Sequence, residues 1–421
     1  MRAHPIVLIA VFLVATAAGL RRAAAFSVLA HQAVVDRAWT SSLAPEIRRR
    51  FPQVTANDLD TARTYAYGGS HIPDLGYFPL GNRLFTDLTH YVRSGDFVAN
   101  LLQRARTPDE YAFALGALSH YVTDDVGHPE ATNPSVADIY PKLRKRYGDT
   151  VTYADDHSAH LTTEFRFDVF QVGHAERQPD LFEHALDFQV AKRVLDDAFQ
   201  ATYGLRLDDI FLDTDVAITT YRWAFREMIH EVTGIAWHLY EGDILKRSPN
   251  VTRREFVADV SRRDFEDEFG KAYREPGYFA KFFALVAKLV PNVGPLKRLP
   301  YKPLPENVQQ RFMTALDHAV ERYRGDVARL RGARLPLPNE TLDTGRPTRR
   351  GAYEPADETY AKLLAKLDEQ DFAGVPPALR AHIMRFYRER DRVGRVDDDD
   401  ERDVREALAR LGAGHGQDAA D

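Results

Sequence analysis

Histidine and carboxylate side chains with regular spacing mark one part of this chain as a place for metal chemistry. His120, Asp124 and His128 follow one another at four-residue steps, and His160 and Glu164 repeat the pattern. On a helix each four-residue step turns the side chain by only about 40°, so such residues project from one face. Imidazole and carboxylate are the groups that zinc takes as ligands, and two ligands one turn apart can share an ion.

A competing interpretation is that these residues are polar pairs between neighbouring helix turns. One such pair alone would favour that interpretation, but two pairs inside apolar helices favour metal binding. The chain has no cysteine, which excludes disulfides and thiolate ligands. Any transition metal must therefore bind to imidazole, carboxylate or main-chain groups.

Composition and charge limit the classes of function. An apolar fraction of 44% supports a full hydrophobic core. The net charge of -6 gives no electrostatic argument for specific nucleic-acid binding. Nothing in the sequence indicates the oligomeric state.

The first 25 residues resemble a secretory signal peptide. Arg2 supplies a basic start, and the apolar run from Pro5 to Leu20 is short for a membrane span. Three alanines before Phe26 fit a cleavage site, whereas the pair Arg21-Arg22 could help to retain the segment as an anchor. We expect cleavage before Phe26 and a secreted or periplasmic protein.

Helix signals dominate the chain, which predicts an all-α, multi-helix bundle with a helical C-terminal extension. Thr107 is a predicted N-cap, with Pro108 at the first helical position and Glu110 completing a capping box. Gly127 and Pro129 mark the end of this helix. A second helix is expected after Asp155-Asp156, carrying His160 and Glu164, and a third over about 213–245.

The domain organisation follows from changes in composition. Residues 1–25 are the predicted signal peptide, 26–248 the catalytic domain and 249–396 a helical C-terminal region. The stretch 335–355 within that region reads as a loop with no evident chemistry. Residues 397–421 begin with a run of acidic residues and are predicted to form a disordered tail.

Three motifs together resemble the bacterial zinc-dependent phospholipase C family, whose fold and metal site are shared with fungal zinc-dependent single-strand nucleases. Ser119 to Asp124 (SHYVTD) is similar to the motif of the family's central helix. Tyr67 to Asp74 (YGGSHIPD), followed by Asp87 to His90 (DLTH), is similar to its aspartate and first zinc-binding histidine. Phe26 to His31 (FSVLAH) is similar to its processed N-terminus, although the family usually begins with tryptophan.

This resemblance, which covers about residues 26–245, implies three zinc ions. The implied ligands are Asp74, His90, His120 and Asp124 for the first ion, His128, His160 and Glu164 for the second, and the main chain of Phe26, His31 and again Asp124 for the third. Asp74 would also act as the catalytic residue that orients or deprotonates the nucleophile. His157 is an alternative to His128, because the interval from Asp124 to His128 is shorter than in the well-known family members.

Three functions are open at this point. The resemblance favours a phospholipase C acting on phospholipids. A single-strand nuclease or nucleotidase would use the same metals, and a noncatalytic metal-binding or ligand-binding protein is a third possibility. Tyr278 to Lys302 combines apolar and basic residues with no acidic one, so it could contact an anionic membrane surface. The alternative is a buried helix and loop whose lysines reach solvent.

Overall fold

The computed structural model describes residues 28–174, 188–257, 302–330, 335–388 and 398–413. The α-helices are α1 Val28–Ala38, α2 Ala44–Arg50, α3 Ala56–His71, α4 Arg83–Tyr91, α5 Ser94–Arg104, α6 Pro108–Gly127, α7 Asn133–Ile139, α8 Pro141–Tyr147, α9 His157–His174, α10 Lys192–Tyr203, α11 Thr214–Arg247, α12 Arg253–Phe256, α13 Glu306–Arg329, α14 Glu354–Asp368, α15 Pro377–Arg388 and α16 Asp398–Ala413. Trp39–Leu43 and His128–Thr132 are π-helical turns, and Ile72–Tyr77 and Leu207–Asp209 are 3-10 turns.

Strand structure in the described residues is limited to one short antiparallel pair, β1 Glu340–Thr341 and β2 Arg346–Pro347. Glu340 lies opposite Pro347, and Thr341 lies opposite Arg346. The predicted all-α fold is therefore confirmed. No helix in the described ranges is both long enough and apolar enough to cross a membrane.

The start of α6 follows from its local sequence. The Thr107 hydroxyl accepts a hydrogen bond from the Glu110 backbone N–H at 3.2 Å, and Pro108 occupies a position where its missing N–H costs nothing. The Glu110 carboxylate accepts a hydrogen bond from the backbone N–H of Arg106 at 2.8 Å. The predicted capping box would instead pair this carboxylate with the backbone N–H of Thr107. The helix ends at Gly127 as predicted, but the chain then continues through a π-helical turn past Pro129.

Helix α6 forms the centre of the bundle. All its residues from Tyr111 to Gly127 are buried, and α1, α3, α5 and α13 pack around it. Each fully buried leucine or valine, such as Leu115, contributes about 1.5–3 kcal/mol. On α13, Tyr323 donates a hydrogen bond to the Leu115 carbonyl at 2.8 Å. Helices on both sides of residue 248 therefore share this core, and the domain division there stays a prediction.

Two glycines allow α3 and α6 to approach each other closely. A Cβ atom at Gly116 would overlap the carbonyl of Ala66, and one at Gly69 would overlap the carbonyl of Phe113. The close contact places Ser70 and the 3-10 turn that follows α3 against the side chains of α6. The predicted metal ligands lie at this junction.

The C-terminal end corrects the sequence-based prediction of a disordered tail from residue 397. Residues 398–413 form α16, and Ala407 and Leu411 are buried where α16 packs against α14 and α15. A pair of apolar residues four positions apart supplies a packing face that the surrounding charges conceal in the sequence. The predicted signal peptide, Phe26 and 278–301 of the predicted membrane segment lie outside the described residues.

Candidate metal centre

Six structural elements bring eight of the predicted metal ligands into one buried region beside α6. They are His31 on α1, Asp74 in the 3-10 turn, His90 on α4, His120 and Asp124 on α6, His128 in the π-helical turn, and His160 and Glu164 on α9. None of the eight is more than 4% exposed. Burying so many ionisable groups is costly unless their charges are compensated.

Three sets of residues in this region each place three ligand atoms within 4.8 Å of one another. The sets are Asp74, His90 and His120; His31, His120 and Asp124; and His128, His160 and Glu164. Every donor is an imidazole nitrogen or a carboxylate oxygen, the types that zinc takes in the absence of cysteine.

The orientation of two imidazoles points to a cation between them. His90 Nδ1 lies 2.8 Å from the Thr86 carbonyl, and His120 Nδ1 lies 2.9 Å from the Ser70 carbonyl. A carbonyl can only accept, so each Nδ1 carries the proton and a neutral ring presents a lone pair at Nε2. The two Nε2 atoms are 3.1 Å apart. Two lone pairs at this distance repel unless a metal ion or a proton lies between them.

Asp124 has the geometry of a bridging ligand. Its Oδ1 lies 3.2 Å from His31 Nε2 and 3.4 Å from His128 Nε2, whereas Oδ2 lies 3.3 Å from His90 Nε2 and 3.1 Å from His120 Nε2. Burial by itself raises the pKa of Asp124, but the charges of the surrounding histidines outweigh burial and hold that pKa well below its usual range. The carboxylate is therefore ionised at neutral pH, as a metal ligand must be.

Helix α9 contributes a second pair of ligands one turn apart. His160 Nε2 lies 2.8 Å from Glu164 Oε1, and His128 Nε2 lies 3.8 Å from the same oxygen. Burial, followed by the charge of His128, lowers the pKa of His160 to about 3, so this imidazole is neutral. Burial also raises the pKa of Glu164 well above its usual range, because no positive charge offsets its desolvation fully.

The carboxylates lack the partners that a buried carboxylate normally has. Neither oxygen of Asp74, Asp124 or Glu164 has a hydrogen-bond partner of acceptable geometry within the described part of the chain. Buried polar atoms are nearly always satisfied in native proteins. Together with the facing lone pairs of His90 and His120, these oxygens make the residues a good fit for bound metal.

The geometry distinguishes His128 from its alternative, His157. The ring of His157 packs edge to face against Tyr153 with centroids 4.2 Å apart, and His157 belongs to none of the three sets found among the described residues. His128 belongs to the set with His160 and Glu164. This arrangement favours His128 as the ligand.

The ninth predicted ligand, Phe26, lies outside the described residues, but the chain just after it is held by α9. The Leu29 backbone N–H donates to Asp168 Oδ1 at 2.9 Å, and the Leu29 carbonyl accepts from Gln171 Nε2 at 2.8 Å. Asp168 follows Glu164 by one helical turn. The beginning of α1 is therefore fixed to the helix that carries His160 and Glu164.

One residue beside the centre was missed by the sequence analysis. Asp343 lies between β1 and β2, is 3% exposed, and places Oδ1 3.7 Å from His128 Nδ1. It is a single aspartate in a segment rich in turn residues, with no periodicity that would associate it with His128. The contact follows from tertiary packing alone.

The fold and the donor atoms define an all-α protein with a buried candidate metal centre of histidines and carboxylates. Residues 30–212 match the family model described as zinc dependent phospholipase C. The predicted resemblance to that family is confirmed over this part of the chain. Neither the curated proteins nor the solved structures compared with the chain include a significant match.

Proposed function

We propose that this protein is a secreted phosphodiester hydrolase, a phospholipase C that cleaves phospholipids with three zinc ions. The observation that carries the proposal is the position of Asp124, whose two oxygens face four imidazole Nε2 atoms at 3.1–3.4 Å. Zinc ions bound there would supply a hydroxide nucleophile near neutral pH and offset the negative charge of the phosphoryl oxygens.

We propose Asp74 as the residue that orients or deprotonates the attacking water. It is fully buried, and Oδ1 lies 3.5 Å from His90 Nε2. A carboxylate without hydrogen-bond donors can accept the proton of a water bound next to it. The same carboxylate would also be a metal ligand, so its replacement should affect turnover more than folding.

The N-terminus is part of the proposed site. Cleavage before Phe26 would free its amine, which would bind the third ion together with the Phe26 carbonyl, His31 and Asp124. The hydrogen bonds from the Leu29 N–H to Asp168 and from Gln171 to the Leu29 carbonyl support this, because they fix the chain near α9. Intact-mass analysis of zinc-loaded, active protein tests it. Retention of residues 1–25 in fully active protein with three ions would contradict it.

Substrate and location rest on the family and on the sequence. A phospholipid substrate is consistent with the family description. Export would follow from the predicted signal peptide, and peripheral membrane contact through Tyr278 to Lys302 stays a prediction.

The proposal is tested with the processed full-length protein on phosphatidylcholine vesicles. We expect release of phosphocholine that stops on treatment with a zinc chelator and returns when zinc is added. Asp124→Asn should release little product at any zinc concentration. Parallel incubation with single-stranded DNA distinguishes the nuclease alternative. Cleavage of the DNA without hydrolysis of the lipid, or lipid hydrolysis that resists chelation, would contradict the proposal.

A further inference from the structure

Asp343 faces the side of His128 that points away from the other candidate ligands. His128 Nε2 is directed to Asp124 Oδ1 at 3.4 Å and to Glu164 Oε1 at 3.8 Å. Its other nitrogen, Nδ1, lies 3.7 Å from Asp343 Oδ1. Asp343 belongs to the C-terminal part of the chain, well beyond residue 212, where the family match ends. The carboxylate therefore lies outside the matched family segment.

Asp343 is held in this position by hydrogen bonds from three residues. Oδ2 accepts from the Tyr91 hydroxyl at 2.9 Å and from the Tyr353 hydroxyl at 2.6 Å. The Asp343 backbone carbonyl accepts from Asn133 Nδ2 at 2.7 Å. Both tyrosines donate to one oxygen, which leaves Oδ1 directed toward the imidazole of His128.

The turn that carries Asp343 is fitted to the metal-binding helices. The backbone N–H of Leu342 donates to the His90 carbonyl at 3.1 Å, which joins the turn to a second candidate ligand. Gly345 has a φ of +61°, and a Cβ atom there would lie 2.9 Å from the Asp125 carbonyl, so only glycine fits without strain. The turn is thus packed between α4 and the end of α6.

We propose that Asp343 is a positioning residue for His128 in the metal centre, an inference that rests on the proposed zinc ligation by His128. At 3.7 Å, Asp343 Oδ1 and His128 Nδ1 are farther apart than in a hydrogen bond, so the carboxylate acts on the imidazole through its negative charge. A carboxylate facing Nδ1 favours the tautomer with the proton on Nδ1 and leaves the lone pair on Nε2 for the metal. The C-terminal region is then needed for metal affinity, although the family match ends before it.

Zinc affinity of the full-length chain, measured by competition with a chromophoric chelator, tests this role. In Asp343→Asn the amide oxygen can still accept from both tyrosines, but the negative charge is lost. We expect the affinity for the most weakly held zinc ion to fall about 10–100-fold, as for other outer carboxylate partners of metal-binding histidines. The matched control is Asp326→Asn, a buried aspartate on α13 that belongs to none of the ligand sets. It should bind zinc like the wild type.

A purely structural role for Asp343 would give a different pattern. If Asp343 acts through His128, Asp343→Asn should have little further effect on zinc affinity when His128→Gln is already present. Full additivity of the two changes would overturn the proposal. Wild-type zinc affinity in Asp343→Asn would also overturn this proposal, but it would leave the proposed function intact. Wild-type protein that binds no zinc would overturn the proposed function and this inference together.

A second measurement does not depend on the folding of an Asp343 variant. In ¹⁵N-histidine NMR spectra of the zinc-loaded wild type, with the His128 signals assigned by His128→Gln, we expect a protonated Nδ1 and a zinc-bound Nε2. Zinc bound to His128 through Nδ1 would overturn the proposal, because that nitrogen would then be unable to face Asp343 with a proton.

Discussion

Replacing Gly116 with alanine tests whether the close contact of α3 with α6 sets the geometry of the candidate metal centre. A Cβ atom at position 116 would overlap the Ala66 carbonyl and lie 2.9 Å from the Ser70 backbone nitrogen, whereas ordinary contact begins at 3.4 Å. The carbonyl of the same Ser70 lies 2.9 Å from His120 Nδ1. The substitution should therefore displace both α3 and the residue that orients a candidate zinc ligand.

The expected magnitude follows from the atoms that clash. Overpacking a core costs about 1–3 kcal/mol, and the upper part of that range applies because the clashing atoms belong to two helix backbones. The higher helix propensity of alanine offsets about 1 kcal/mol of this. We expect a net loss of about 2 kcal/mol in the unfolding free energy of the metal-free protein. Zinc affinity should fall about 10-fold or more, because the outer partner of His120 moves.

Denaturant unfolding and chelator competition on the full-length protein measure both quantities. The matched control is Gly325→Ala on α13, where no atom lies within 4 Å of the added Cβ. That variant should be unchanged or more stable by up to about 1 kcal/mol, with wild-type zinc affinity. If Gly116→Ala behaves like Gly325→Ala in both assays, the helix contact does not set the site.

Three further predictions concern the metal, the proposed catalytic carboxylate and a distant histidine. Each zinc ion present at about 100 times its dissociation constant should stabilise the fold by about 2.7 kcal/mol over chelated protein in calorimetry, and equal melting temperatures would argue against a structural metal centre. Asp74→Asn should lower kcat on phosphatidylcholine about 100-fold or more, and full turnover with full zinc content would remove its role as base. Burial, with the charges of Arg93 and Arg385, lowers the pKa of His382 from 6.5 to about 4, so the folded state binds fewer protons than the unfolded state between these values. The free energy of unfolding should therefore fall as pH falls from 6.5 to 4. His382→Gln should reduce that fall by about 1–2 kcal/mol. The full pKa shift would correspond to roughly 3 kcal/mol, but His382 is only partly buried and solvent screens its charge. Identical pH dependence in the variant and the wild type would refute this assignment.

Local signals made the helices predictable. Thr107 and Pro108 start α6 because capping depends on adjacent residues, and the end at Gly127 follows in the same way. The predicted second helix corresponds to His157–His174 and the third to Thr214–Arg247. Four-residue spacing also placed His120 with Asp124, and His160 with Glu164, because both pairs lie within single helices.

Contacts between distant parts of the chain were not predictable in this way. Asp343 approaches His128 only because the turn between β1 and β2 docks against α4 and α6, and no spacing in the sequence records that docking. Helix α16 was hidden by its acidic start, since Ala407 and Leu411 become an apolar face only when α14 and α15 are present. The motif residues were found by family resemblance, whereas the C-terminal contribution required the fold.

Metal analysis of the purified, processed full-length protein tests the central claim most directly. The proposed function predicts close to three zinc ions for each wild-type chain. Asp124→Ala should hold clearly fewer, because its carboxylate faces imidazoles that belong to all three sets. Wild-type protein without stoichiometric zinc, or an Asp124→Ala variant with an unchanged zinc content, would contradict the account.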